Sequence, residues 1–220
     1  MNILVAGLSG SGKTTICRFL SKDLGLSFVS GSEVRSQFIN GTIPIESRKY
    51  WLFSTEAAEL DRLRLDDSRI DLAMDSHLRD LVLTKSKQIF DVWFLPWLVP
   101  ERSLRVWLEC PLEVRARRIH QSLDLGDGET KNVYKKALEK DRRAQQFARK
   151  TYGIDIFTDR TPFDVIISTE NDADVNLGRS ALRRIAEKYF VRGKDCGLNS
   201  LRSDEFTSVI QRCPSNLYPA

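Results

Sequence analysis

Residues 7–14 read Gly-Leu-Ser-Gly-Ser-Gly-Lys-Thr, the spacing G-x-x-x-x-G-K-[ST] of a loop that holds phosphate. Its glycines let the backbone close around an anion, so that successive N–H groups point inward at it. Ser9, Gly10, Ser11, Gly12, Lys13, Thr14 and Thr15 would form that cradle. Lys13 can reach the β- and γ-phosphates of a nucleotide, and the Thr14 hydroxyl can ligate Mg²⁺. A second chemical group stands at Asp91, where an apolar run ends in a carboxylate. Such a carboxylate supports the metal or handles a proton in phosphoryl transfer. Asp75 and Glu33 are weaker acidic candidates. A third group is cationic: Arg115, Arg117 and Arg118 lie in one segment, and Lys135, Lys136, Lys140, Arg142, Arg143, Arg149 and Lys150 in the next. Charge spread over a transferring phosphoryl group calls for such neutralisation.

The elements needed to position these groups are legible around them. Asn2–Ala6 is apolar and β-prone, and the run after the loop has helical spacing until Gly25. Strand, glycine loop, helix is the setting in which this motif binds phosphate. Further strands are expected at 26–30, 88–93, 103–109 and 163–168. Helices are expected at about 32–39, 45–63, 67–84 and 176–190, with a turn at Asn40–Pro44 and a helix opened by Pro111. This alternation predicts an α/β fold: a five-stranded parallel sheet with helices on both faces. Ligands bind such sheets at the carboxyl ends of the strands, which would gather the phosphate loop, Ser30–Glu33, Asp91 and Glu109. Leu123–Glu129 is a polar, Gly-containing break between two basic helices, suited to a mobile lid spanning about 118–150. Residues 1–190 read as one domain and 191–220 as a peripheral, partly flexible extension.

Composition narrows the partners. The 220 residues are 41% hydrophobic and 29% charged, with a net charge of +4; that mild excess suits a phosphate site but gives no basis for nucleic-acid binding. No apolar stretch approaches a membrane span, and the N-terminal run shows no signal-peptide pattern. Cys17, Cys110, Cys196 and Cys213 have neither Cys-x-x-Cys nor metal-ligand spacing, so a reducing, cytoplasmic setting is expected. A GTPase would need a base-reading Asn-Lys-x-Asp segment, which the chain lacks.

The phosphate loop, Val29–Val34, Pro111–Ile119 (Pro-Leu-Glu-Val-Arg-Ala-Arg-Arg-Ile), Thr151–Ile156 (Thr-Tyr-Gly-Ile-Asp-Ile) and Phe163–Thr169 together resemble the archaeal-type cytidylate kinases in order and spacing over roughly residues 1–190. The resemblance implies a P-loop, nucleoside-monophosphate-kinase-like fold, Mg·ATP as phosphoryl donor, and a small nucleoside monophosphate such as CMP or dCMP as acceptor. It would make Lys13 the stabiliser of the transferring phosphoryl group and Thr14 the Mg²⁺ ligand. Arg118, matching the family's arginine at the lid entrance, would contact ATP and the transferring group. The acceptor half departs from the family. Ser36 stands where an arginine grips the acceptor phosphate, Trp93 replaces the arginine of Glu-Gly-Arg, and Phe147 replaces a lid arginine. Arginine gripping phosphate with two parallel bonds has no equivalent in Ser, Trp or Phe. Either Arg35, Arg142, Arg143 or Arg149 substitutes, Arg142 being the catalytic candidate among them, or the acceptor differs. Glu33, Arg35, Trp93 and Trp97 are the expected acceptor contacts, the two indoles able to stack a flat ring. Three readings compete: a kinase of a nucleoside monophosphate, a kinase of a non-nucleotide or modified-nucleotide metabolite, and a nucleotide-binding regulator with weak catalysis. Action on an RNA end is disfavoured by the low charge.

Overall fold

The computed structural model describes residues 1–38, 53–99, 103–192 and 210–212. Strand β1 (Asn2–Gly7) is buried along its whole length and leads through the glycine loop into α1 (Lys13–Leu24). Then follow β2 (Ser27–Ser30), α2 (Gly31–Phe38), α3 (Thr55–Asp66), α4 (Arg69–Thr84), β3 (Gln88–Asp91) and the single turn α5 (Leu95–Leu98). The second half holds β4 (Ser103–Glu109), α6 (Leu112–Ser122), a 3₁₀ turn at Asp127–Glu129, α7 (Thr130–Tyr152), β5 (Val165–Ser168), α8 (Asp172–Arg192) and β6 (Ile210–Arg212).

The sheet order is β2-β3-β1-β4-β5-β6. The first five strands are parallel, as expected from the alternation, while β6 pairs antiparallel with β5. This sixth strand comes from the segment expected to be peripheral. Three residues with Ile210 as their apolar member leave little periodicity to detect. The expected turn at Asn40–Pro44, most of the first half of helix 45–63, and the extension apart from 191–192 and 210–212 lie outside the described residues.

Two apolar layers sandwich the sheet. Ile3, Val5, Leu104, Val106, Val165 and Ile167 face α1 and α8 through Ile16, Leu20, Leu182 and Ile185. Leu4, Phe90 and Val92 face α2 and α4 through Val34, Met74, Leu78 and Val82. Alternate residues of one strand therefore serve opposite layers, as the pleat requires.

Helix α4 is 16 residues long, about 24 Å at 1.5 Å per residue, and spans the sheet from edge to edge. Its last turn is fastened at the amino edge, where the Asn2 side-chain amide donates to Val82 and Lys85 carbonyls at 2.9 Å each. Its first two turns, carrying Asp71 and Asp75, therefore lie toward the carboxyl edge, where ligands bind sheets of this kind.

Candidate active site

At the carboxyl end of β1 the backbone turns back on itself through Gly7, Gly10 and Gly12, which have φ of +153°, +84° and +94°. A Cβ on Gly10 would lie 2.8 Å from the Arg115 carbonyl oxygen and 3.0 Å from Ile119 Cδ1, so α6 closes against the loop only because that residue is glycine. Three polar groups brace the loop carbonyls. Lys13 Nζ donates to Gly7 O at 2.8 Å and Leu8 O at 3.3 Å. Arg115 donates to Ser9 O at 3.0 Å, and Thr169 Oγ1 to Ser11 O at 3.1 Å. Arg115 is itself buried on Asp141 of α7, 2.8 Å away. It belongs to the scaffold beneath the loop. Helical spacing placed it beside Arg117 and Arg118 but could not show which of them turned inward.

Thr14 and Asp91 meet as the motif demands. Thr14 Oγ1 donates to Asp91 Oδ2 at 2.5 Å, a contact bridging 77 positions of sequence. It forms because β1 and β3 are paired with Val5 opposite Asp91. Gly31 at the start of α2 permits this tight packing, since a Cβ there would lie 2.9 Å from the Asp91 carbonyl. Burial lowers the Lys13 ammonium below its ordinary range, and the Asp91 carboxylate opposes that shift. These residues fit an Mg·nucleotide: a hydroxyl and a carboxylate aimed at one point, an ammonium beside them, and a buried Ser11 Oγ without a protein partner among the described residues. When bound, the nucleotide supplies the phosphoryl group and the metal polarises it. Asp91→Asn weakens the carboxylate's hold on the metal–threonine assembly. It should raise the Mg²⁺ concentration needed for half-maximal turnover and lower kcat by about 10- to 100-fold, measured by Mg²⁺ titration at saturating ATP.

The remaining expected site residues divide. Arg118 is half-buried on α6, with its guanidinium 3.4 Å from Cys110 Sγ, just past the end of β4. Trp93 stands beside the phosphate-loop lysine: its ring lies 5.7 Å from Lys13 Nζ and packs edge-on against Phe94. Glu33 is exposed and Arg35 half-buried, both on α2. Arg142 is not gathered with these groups. It is exposed on α7 and lines an open depression of about 600 Å³ with Arg149, Lys150 and Phe157. Trp97 is held in the scaffold. Its indole donates to Asp159 at 2.8 Å and packs edge-on against Phe163 at 4.8 Å. Glu109 is likewise engaged, by Trp107 and Arg160.

Ser36 and Phe147, the two other positions where the resemblance expects arginine, are packed into the protein. Ser36 is 3% exposed and its hydroxyl donates back to Glu33 O at 2.6 Å. Phe147 is 4% exposed within a cluster of rings, 5.7 Å from Phe94 and 5.9 Å from Tyr152. The cluster leads to acids at the first turns of α4. Tyr152 donates to Asp75, and Arg64 grips the neighbouring Asp71. Burial pushes the Asp75 carboxyl up to about 6; the Asp71 charge adds to this, while the Tyr152 hydrogen bond and Arg64 oppose it.

An acid whose folded-state pKa is raised favours folding fully below its unfolded value and loses that contribution as pH rises through the folded one. Wild type should therefore lose on the order of 2 kcal/mol relative to Asp75→Asn between about pH 4 and pH 7. Urea denaturation of both proteins at the two pH values checks this.

A 2-3-1-4-5 parallel sheet with a G-x-x-x-x-G-K-T loop, a Thr14–Asp91 pair and a helical segment over residues 112–152 defines a P-loop kinase. Residues 2–171 match the cytidylate kinase-like family, and the chain belongs to that family. Cytidylate kinase of Thermococcus sibiricus is 28% identical over 167 residues, covering 76% of this chain and 78% of that one. Its namesake from Sulfolobus acidocaldarius is 29% identical over 184 residues, covering 81% and 93%. Among solved structures, shikimate kinase from Acinetobacter baumannii superposes with a TM-score of 0.52 at 20% identity, covering 84% of this chain and 93% of that one. An uncharacterized protein from Eubacterium ventriosum gives 0.60 at 10% identity, covering 85% and 98%. These structures share the fold. Among the described residues no helix is long and apolar enough to cross a membrane, and no group of three or more His, Cys, Asp or Glu is placed to hold a metal.

Proposed function

We propose that this kinase moves the γ-phosphoryl group of Mg·ATP to a hydroxyl of a small-molecule acceptor. The observation carrying this reading is the Thr14–Asp91 hydrogen bond beside Lys13 at the mouth of the glycine loop. The acceptor oxygen forms a bond to the γ-phosphorus while the bond to the β–γ bridging oxygen breaks. ADP leaves with that electron pair, and the hydroxyl proton passes to a site carboxylate, the role assigned to Asp91. Lys13 neutralises charge on the group in transit. Arg118 serves the donor side, and Trp93, with Glu33 and Arg35 on α2, faces the acceptor.

The names of its relatives make CMP and dCMP the first acceptors to try. Ser36, Trp93 and Phe147 support a second reading, an acceptor that is not a standard nucleoside monophosphate, because none of the three can grip a phosphate as arginine does. ADP release from Mg·ATP with CMP, dCMP, UMP, AMP and GMP, followed by phosphate-free hydroxyl compounds, tests both. Turnover with CMP well above background selects the first reading. Turnover confined to the other compounds selects the second. ATP binding without turnover of any acceptor contradicts the kinase reading.

A further inference from the structure

The phosphate loop is held by a residue far outside its own motif. Thr169, the residue after β5, is fully buried, and so is Ser11. The Thr169 hydroxyl oxygen lies 3.1 Å from Ser11 O and 3.2 Å from Glu109 O. Its backbone N–H already donates to Glu109 O at 2.9 Å, and its carbonyl accepts the Cys110 thiol at 3.4 Å. A hydroxyl has one proton to give, and Ser11 O is the acceptor that the Thr169 N–H leaves unserved. The contact spans 158 positions of sequence. It ties the loop after β1 to a strand two places away in the sheet.

This bond sets the direction of a peptide. In a trans peptide the C=O and the following N–H point opposite ways, so the partner of a carbonyl decides where the next N–H faces. Arg115 takes Ser9 O at 3.0 Å, and Thr169 takes Ser11 O. The N–H groups that follow, those of Gly10 and Gly12, are therefore turned away from the scaffold. Neither donates to an acceptor among the described residues. Gly12 has φ of +94°, yet a Cβ there would meet nothing within 4 Å. Glycine is needed at that position for the direction of the backbone and not for want of space.

We propose that Thr169 is a positioning residue for the phosphoryl donor: its hydroxyl holds the Ser11–Gly12 peptide so that the Gly12 N–H faces a phosphate of the bound nucleotide. This rests on the Mg·ATP donor reading above and adds to it a residue outside the glycine motif. Without the hydroxyl, Ser11 O is a buried acceptor that has lost its donor. The peptide then turns toward another donor, which the freedom of Gly12 permits, and its N–H leaves the phosphate. A bond from N–H to a phosphate oxygen is charge-assisted, so its loss is felt in affinity.

Two substitutions separate the hydroxyl from the shape of the side chain. Thr169→Val keeps the shape and removes the hydroxyl, whereas Thr169→Ser keeps the hydroxyl and removes a methyl group. Mg·ADP and magnesium tripolyphosphate are titrated by calorimetry into the full chain and both variants, at a temperature where melting curves show all three folded. Thr169→Val should weaken both ligands by about 10-fold or more, and Thr169→Ser by less than about threefold. The ligands share phosphates but not the base, so matching losses locate the effect in the phosphate grip. A packing role predicts the opposite order, with valine close to wild type and serine the weaker. That order, or a loss seen with Mg·ADP but not with tripolyphosphate, overturns the proposal. Thr169→Ala against Thr169→Ser repeats the comparison with the hydroxyl as the sole difference, should the valine variant not fold. Wild type that binds neither ligand contradicts the donor reading itself. Wild type and Thr169→Val binding Mg·ADP equally overturns the role of Thr169 alone.

Discussion

Lys13→Ala should lower phosphoryl transfer by at least about 100-fold while leaving the protein folded. The ammonium is the cation of the loop, buried and held by the Gly7 and Leu8 carbonyls. Its burial lowers its pKa, and Asp91 works against that shift. Charge that develops on the transferring group therefore meets a positive centre already in place, without solvent reorganisation. Because the effect falls on the transition state, kcat should drop more than the affinity for ATP weakens. Lys13→Met keeps the aliphatic stem that packs beside Trp93, so its thermal unfolding should match wild type while its activity matches the alanine variant. Steady-state kinetics with melting curves for both variants checks this. Activity above a few per cent of wild type would remove Lys13 from its assigned role.

Arg115→Ala should act on the fold. The guanidinium donates to Cys110 O and Ser9 O and pairs with Asp141, and both charged side chains are nearly fully buried. Deleting it leaves Asp141 as a buried charge without its partner and cuts the link between the phosphate loop and α7. Breaking a buried pair in this way costs about 3–5 kcal/mol. Equilibrium urea unfolding should show that loss. Arg115→Ala/Asp141→Leu should recover part of it, since the second change removes the stranded carboxylate. If the single variant is as stable as wild type, Arg115 does not brace the loop.

These residues show where sequence was readable and where it was not. The phosphate loop could be read because its chemistry fixes residue types at fixed spacing within eight consecutive positions. Strand β4 was readable to the residue, 103–109, because it is buried on both faces and bounded by Pro100-Glu101-Arg102 before it and Pro111 after it. Asp91 could be placed because an apolar run feeding a carboxylate must end at the sheet's carboxyl edge. Contacts across long separations gave no such signal. Trp97 was expected to stack a substrate ring, but its indole N–H is taken by Asp159, 62 residues away. Arg142 was expected at the site, but its position on α7 leaves it exposed while Asp141 and Gln145 turn inward. Helical spacing indicates that residues share a face and is silent on what that face meets. Asp75 stood out little because a helix of mixed charge normally presents its acids to solvent. Its burial arises from Tyr152, 77 residues later.

The central claim is that a Lys13-dependent donor site delivers phosphoryl to an acceptor hydroxyl. Incubation of the purified chain with γ-labelled Mg·ATP and the acceptor series, with Lys13→Ala alongside, tests it most directly. Label appearing in an organic phosphate ester with wild type, and falling at least about 100-fold in the variant, is the predicted result. Label found only in ATP and inorganic phosphate, or in an ester at equal rates for both proteins, would contradict it.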